Sequence, residues 1–129
     1  MSVNIDIVAS ANENTFFRRV VSTGPNAQVV VMSIPPGGEI GEEVHDHVDQ
    51  VLVFVSGMGV AVMEGEETEV GRDRLVHVPA GVRHNVINRG STSLRLYTVY
   101  APPQHAPNTI HRTKAEADAD EADVAPVSV

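Results

Sequence analysis

Pro79-Ala80-Gly81-Val82-Arg83-His84-Asn85-Val86-Ile87-Asn88 is the stretch on which the fold of this chain turns. Proline fixes one backbone angle and glycine frees another, so Pro-x-Gly reads as a sharp turn. Three residues past that glycine stands a histidine, and a short strand over Asn85–Asn88 follows it. Working outward, similar short apolar runs recur on both sides, each closed by Gly or Pro. Upstream lie Phe16–Val21, Gln28–Ile34, Glu42–His47, Gln50–Val55, Val60–Met63, Glu67–Val70 and Leu75–Val78; downstream lies Leu94–Ala101, stopped by Pro102-Pro103. Valine dominates these runs, and β-branched side chains pack well on a pleated surface. No stretch before residue 110 carries a convincing 3.6-residue apolar period. The expectation is therefore an all-β barrel or sandwich of short antiparallel strands.

Two regions stand apart. The first dozen residues are weakly patterned and read as an edge strand or a loose arm. Residues 115–129 alternate Ala with Glu and Asp and close on Ala-Pro-Val-Ser-Val. Their apolar content does not offset the entropy of ordering them, so they read as a flexible acidic tail, disordered or a frayed helix. The domain expected is thus a single barrel over 1–114 followed by that tail.

The second informative segment is Glu42-Glu43-Val44-His45-Asp46-His47-Val48-Asp49-Gln50. If it is a strand, Glu43, His45 and His47 share one face. Potential metal ligands converging from one strand are costly to bury unless something pairs with them. A solvated acidic edge with incidental histidines is the plainer reading of that segment taken alone.

Together the two segments resemble the paired signatures of the cupin superfamily. The stretch from Pro79 is similar to the second signature, Pro-x-Gly-x2-His-x3-Asn, at every position, ending on His84 and Asn88. The glycine usual six residues before the proline is Asp73 here, a residue that tolerates left-handed turns. The first signature, Gly-x5-His-x-His-x3or4-Glu-x6-Gly, does not fit with its histidines on His45 and His47. Moved by two residues it matches every spacing through Gly37, Glu43, His45, Gln50 and Gly57. In that frame Glu43 stands at the first histidine position and Gln50 at the glutamate position, and His47 is no ligand. The resemblance implies a double-stranded β-helix (jelly-roll barrel), commonly dimeric. It also implies a divalent metal ion (Fe, Mn, Ni, Co or Zn) on Glu43, His45, Gln50 and His84. Two imidazoles and a carboxylate with open positions suit such ions, and an amide oxygen binds more weakly than a carboxylate. The likeness extends over about residues 14 to 114 to small single-domain bacterial cupins often described as mannose-6-phosphate-isomerase-like. Fold carries across such a family more securely than reaction does.

Face assignments follow from alternation. With Gln50 inward, Leu52 and Phe54 point inward, while Val51, Val53 and Val55 point outward and need cover from the second sheet or another subunit. With His84 inward, Val86 and Asn88 follow it, and Arg83 faces away. Tyr97 and Tyr100 take opposite faces. His77 is given no role, and His105 and His111 are expected at the surface.

Composition bounds the function. The 129 residues contain no cysteine, which excludes disulfides, zinc–thiolate sites, iron–sulfur clusters and a thiol nucleophile. A net charge of −8 argues against nucleic-acid binding. Five of the seventeen acidic residues follow Lys114, so residues 1–114 carry only −3. No apolar run is long enough for a membrane span, and the first residues do not read as a signal peptide, so a cytoplasmic location is expected. No serine sits in a nucleophile elbow. Because no Arg or Lys points inward on the ligand strands, a neutral or weakly charged substrate is expected. The expected function is metal-dependent chemistry of the dioxygenase or isomerase type on a small organic molecule. The alternatives are a non-catalytic binding or sensing protein, and an assembly protein that uses the acidic tail.

Overall fold

The computed structural model describes residues 2–123. Nine strands carry the fold: β1 (Arg18–Thr23), β2 (Gln28–Ile34), β3 (Asp49–Ser56), β4 (Met58–Met63), β5 (Glu66–Gly71), β6 (Leu75–Val78), β7 (His84–Ile87), β8 (Leu94–Ala101) and β9 (Ile110–His111). They form a six-stranded sheet, β6-β3-β8-β2-β1-β9, and a three-stranded sheet, β5-β4-β7. Every pairing within them is antiparallel. Helices α1 (Ile7–Glu13) and α2 (Lys114–Asp123) flank them. Among the described residues no helix is long and apolar enough to cross a membrane.

The inner face of the large sheet runs in rows. Met32, Leu96 and Phe54 stand side by side across β2, β8 and β3, and Val30, Thr98 and Leu52 form the next row. These six are fully buried. The third row, Gln28–Tyr100–Gln50, is polar and equally buried. Leu52 and Phe54 therefore point inward beside Gln50, as alternation predicts.

Turns set the register. Glu64 and Gly65 both adopt positive φ between β4 and β5, the paired left-handed geometry that suits the twist of a two-residue hairpin. Asp73 adopts φ 69°, so the position where the family places glycine keeps its left-handed turn. Gly57 has φ 87°, and a Cβ there would stand 2.5 Å from the Ser93 carbonyl oxygen. No other residue fits that corner between β3 and β4.

Two expectations are corrected. The N-terminal arm is helix α1, capped by Asp6, whose side chain accepts from the Ala9 N–H. Ala11 on this helix packs with Val31 and Val55, so a helix within the chain, rather than the second sheet, covers Val55 on the outer face. Fewer than two turns of helix are too short to display a readable period. The segment Glu42–His47 is no strand: only Glu43 makes a bridge, and Asp46 and His47 form a turn. Residues 115–123 of the acidic tail, expected to be disordered or a frayed helix, belong to α2, while 124–129 lie outside the described residues. Thr113 Oγ1 accepts from the Glu116 N–H, and Glu116 reaches back to the Arg112 N–H, a reciprocal cap that starts the helix. Ala117 then buries its methyl in the core, an apolar anchor hidden in an acidic sequence.

Candidate metal centre

Backbone pairing brings the first two candidate ligands together. Glu43 and His84 exchange both of their N–H···O bonds, at 2.8 and 2.9 Å. Such a pair sits directly opposite across two strands, so the side chains project on the same face. The turn at Gly81, where φ is 84°, donates its N–H to the His45 carbonyl at 2.8 Å and holds the third candidate beside them. Gln50 arrives from the large sheet and is 1% exposed. One ligand atom from each of Glu43, His45 and His84 lies within 4.8 Å of the others. That is the spacing a single cation can span.

Hydrogen bonds outside the cluster orient it. His84 Nδ1 lies 2.9 Å from the Val82 carbonyl, which can only accept, so Nδ1 carries the proton and Nε2 faces the interior. Thr98 donates its hydroxyl to the Val51 carbonyl at 2.9 Å and accepts from Gln50 Nε2 at 3.1 Å. The amide is thereby fixed with Oε1 toward His84 Nε2, 3.2 Å away. Two lone-pair-bearing atoms facing each other inside a barrel call for a proton or a cation near them.

His45 is suited to the same task. Its Nε2 is buried without a hydrogen-bond partner among the described residues, and the nearest carboxylate oxygen, Glu43 Oε2, is 3.9 Å away. Burial lowers its pKa to about 4, helped by the charges of His84 and Arg18 and opposed by Asp46. At neutral pH this imidazole is therefore uncharged with a lone pair available, the form a metal takes. The donor set of one carboxylate, two imidazoles and one amide oxygen fits a divalent transition ion.

The other sequence candidates separate cleanly. His47 lies exposed in a turn, outside the cluster. Arg83 faces solvent and pairs with Glu42 at 2.7 Å. His77 is exposed and meets Asp49 at 3.2 Å. Tyr100 lines the interior, its ring 6.1 Å from that of His45, while Tyr97 lies beneath α1.

Sequence reasoning missed three interior groups. His111, expected at the surface, is buried: β9 pairs it with Arg18, whose Nη1 donates to His111 Nδ1 at 3.2 Å, and its Nε2 meets Asp120 of α2 at 2.8 Å. His105, also expected at the surface, is partly buried with its Nε2 fully so. Arg18, on β1 rather than on a strand that carries a candidate ligand, is 2% exposed, so the interior contains a cation that the inspection of the ligand strands alone did not find. Alternation along β1 could have placed Arg18 on one face with Val20, but no periodic signal marks the segment after Pro103.

Two antiparallel sheets enclosing a histidine and carboxylate cluster that could hold a metal define a jelly-roll protein. The cupin domain family matches residues 30–100, more than half of the chain, and the chain belongs to that family. The crystal structure of BH2720 from Bacillus halodurans is 41% identical, covers 92% of this chain and 95% of that one, and superposes with a TM-score of 0.91. Uncharacterized protein YrkC of Bacillus subtilis is 42% identical over 123 residues, spanning 91% of this chain and 66% of that protein. Uncharacterized protein L612 of Acanthamoeba polyphaga mimivirus is 34% identical over 102 residues, 76% of this chain and 64% of that protein. The chain thus spans about two thirds of the length of these curated relatives.

Proposed function

We propose that this protein holds one divalent metal ion on Glu43, His45, Gln50 and His84 and acts there on a small organic molecule, by dioxygenase- or isomerase-type chemistry. The observation that carries this reading is the convergence of Glu43, His45 and His84 ligand atoms within 4.8 Å, with His84 and Gln50 locked in the orientation a ligand needs. A bound ion of this kind supplies Lewis acidity or, for iron, a site for dioxygen. The chain's own residues do the rest. Val82 and Thr98 hold two donors in place, burial keeps His45 uncharged, and Tyr100 walls the interior beside it.

Two parts of the reading concern partners. The ligand is a small molecule rather than a polymer, because the candidate donors sit inside the barrel. A homodimer is supported by the outer face of the large sheet, where Leu75 is 62% exposed beside half-buried Val53. The second functional reading is a binding or sensing cupin without turnover. The neutral amide of Gln50, which weakens metal affinity relative to a carboxylate, favours it.

The test begins with protein purified without a chelating tag and reconstituted with Fe(II), Mn(II), Ni(II), Co(II) or Zn(II). Elemental analysis should find about one ion per chain for at least one of these metals. Glu43→Ala should lose that ion, and His47→Ala should keep it. The reverse pattern, or no ion from any metal, overturns the metal-dependent reading.

A further inference from the structure

Gln28 is fully buried, and its amide is committed to a single neighbouring segment and one strand-end hydroxyl. Its Oε1 accepts from the backbone N–H groups of Gln104 at 3.2 Å and His105 at 2.9 Å. Its Nε2 donates to the His105 carbonyl at 2.7 Å and to Thr23 Oγ1 at 2.9 Å. A buried amide used this way clamps one residue's backbone on both sides, and that residue is His105. The clamp stands on β2 in the row Gln28–Tyr100–Gln50, the same row that supplies the metal centre with Gln50.

The His105 ring meets Tyr100 edge-on, with centroids 5.1 Å apart, and Tyr100 meets His45 in the same manner from its other neighbour at 6.1 Å. Packing on Tyr100 explains the ring's position. It does not explain why Nε2 is buried with no hydrogen-bond partner among the described residues. An unmatched polar atom in a native interior is costly, and a binding group is one physical reason to keep it. Burial, helped by the charges of Arg18, His111 and His45, lowers the pKa of His105 to about 3 and holds the imidazole uncharged. A neutral imidazole with its proton on Nε2 offers an N–H there, and the Arg18 charge acts on the same ring. A carboxylate fits both conditions, since it accepts the N–H and gains from the cation. A phosphate carries more charge and more acceptor oxygens than this corner supplies with donors.

We propose that His105, clamped by Gln28 and flanked by Tyr100 and Arg18, is a ligand-binding residue of the barrel, and that it receives the carboxylate of a small organic acid. The inference deepens the functional reading above and rests on it only for what happens at the far end of the molecule. His111 and Asp120 act as positioning residues. The Arg18 N–H that His111 Nδ1 accepts, and the Nε2 contact to Asp120, fix where the guanidinium stands.

The probes are acetate, pyruvate, malonate and succinate, each titrated calorimetrically against its neutral amide, with Zn(II)-loaded and metal-free protein. At least one acid should bind tenfold or more tighter than its amide, and in His105→Gln that preference should fall below threefold. Metal content should be unchanged in His105→Gln, so a loss of preference is not a loss of the metal centre. In the wild type the 15N resonance of His105 Nε2 should move on adding the preferred acid, which a packing role alone does not produce. Arg18→Met, checked for its fold by circular dichroism, should abolish the preference as well. Two results overturn the proposal: no acid exceeding its amide, or an undiminished preference in His105→Gln. If the wild type takes up no metal yet shows the acid preference and its loss in His105→Gln, the metal reading fails and this one stands.

Discussion

The two ends of the barrel are built from the same strands and have opposite chemistry. At one end β2, β8 and β3 contribute Ile34, Leu94, Leu96 and Phe54, all fully buried and apolar. At the other the same strands contribute Gln28, Tyr100 and Gln50, equally buried and polar. Strand β7 repeats the gradient between its two buried residues, His84 and Val86. Under the proposed function, the difference separates the end that binds from the end that holds the fold together. The apolar end supplies cohesion through close packing. At the polar end neighbours orient some groups, as Thr98 orients Gln50 and Val82 orients His84, while the Nε2 atoms of His45 and His105 are buried without a hydrogen-bond partner among the described residues.

That contrast can be broken at several points. Phe54→Ala at the apolar end should cost about 3–5 kcal/mol of unfolding free energy. The folded fraction should bind metal as the wild type does; chemical denaturation and metal titration on one sample check both. His84→Ala should invert the pattern, weakening metal binding at least about a hundredfold by chelator competition while costing less stability than Phe54→Ala. Equal losses of both properties in both variants would mean that the ends are not separable.

Smaller effects sharpen the comparison. Thr98→Val removes the group that fixes the Gln50 amide and should weaken metal affinity about tenfold, with little change in fold. In the metal-free protein, the lowered pKa values of His45, about 4, and His105, about 3, give a signed pH dependence. The unfolded chain binds more protons than the folded one between those values and 6.5, so stability falls as pH drops from 7 toward 4. A double variant, His45→Gln with His105→Gln, should show a flatter midpoint temperature over that window by calorimetry.

The apolar end was legible in the sequence, and the polar end only in part. Strands β2, β6 and β8 have the limits that their alternating apolar runs indicate. The proposed ligand positions Glu43, His45, Gln50 and His84 come from the spacing between turns, where glycines such as Gly57 and Gly81 occupy conformations that other residues avoid. What stayed hidden depends on contacts distant in sequence. His105 is placed by Gln28, 77 residues away, and His111 by Arg18, 93 residues away. Neither leaves a periodic trace. Helix α2 was legible only as one of two alternatives, because its acidic composition masked the Thr113-x-x-Glu116 start signal that the structure uses.

The contact of α2 with His111 gives the acidic C-terminal segment a task that its composition conceals. Asp120 touches the imidazole that touches Arg18, and Ala117 is seated in the core. A chain cut after Arg112 therefore loses both the carboxylate partner of His111 and an apolar anchor in the core. Amide exchange should record this as shared protection, with β1, β9 and the first turns of α2 opening together.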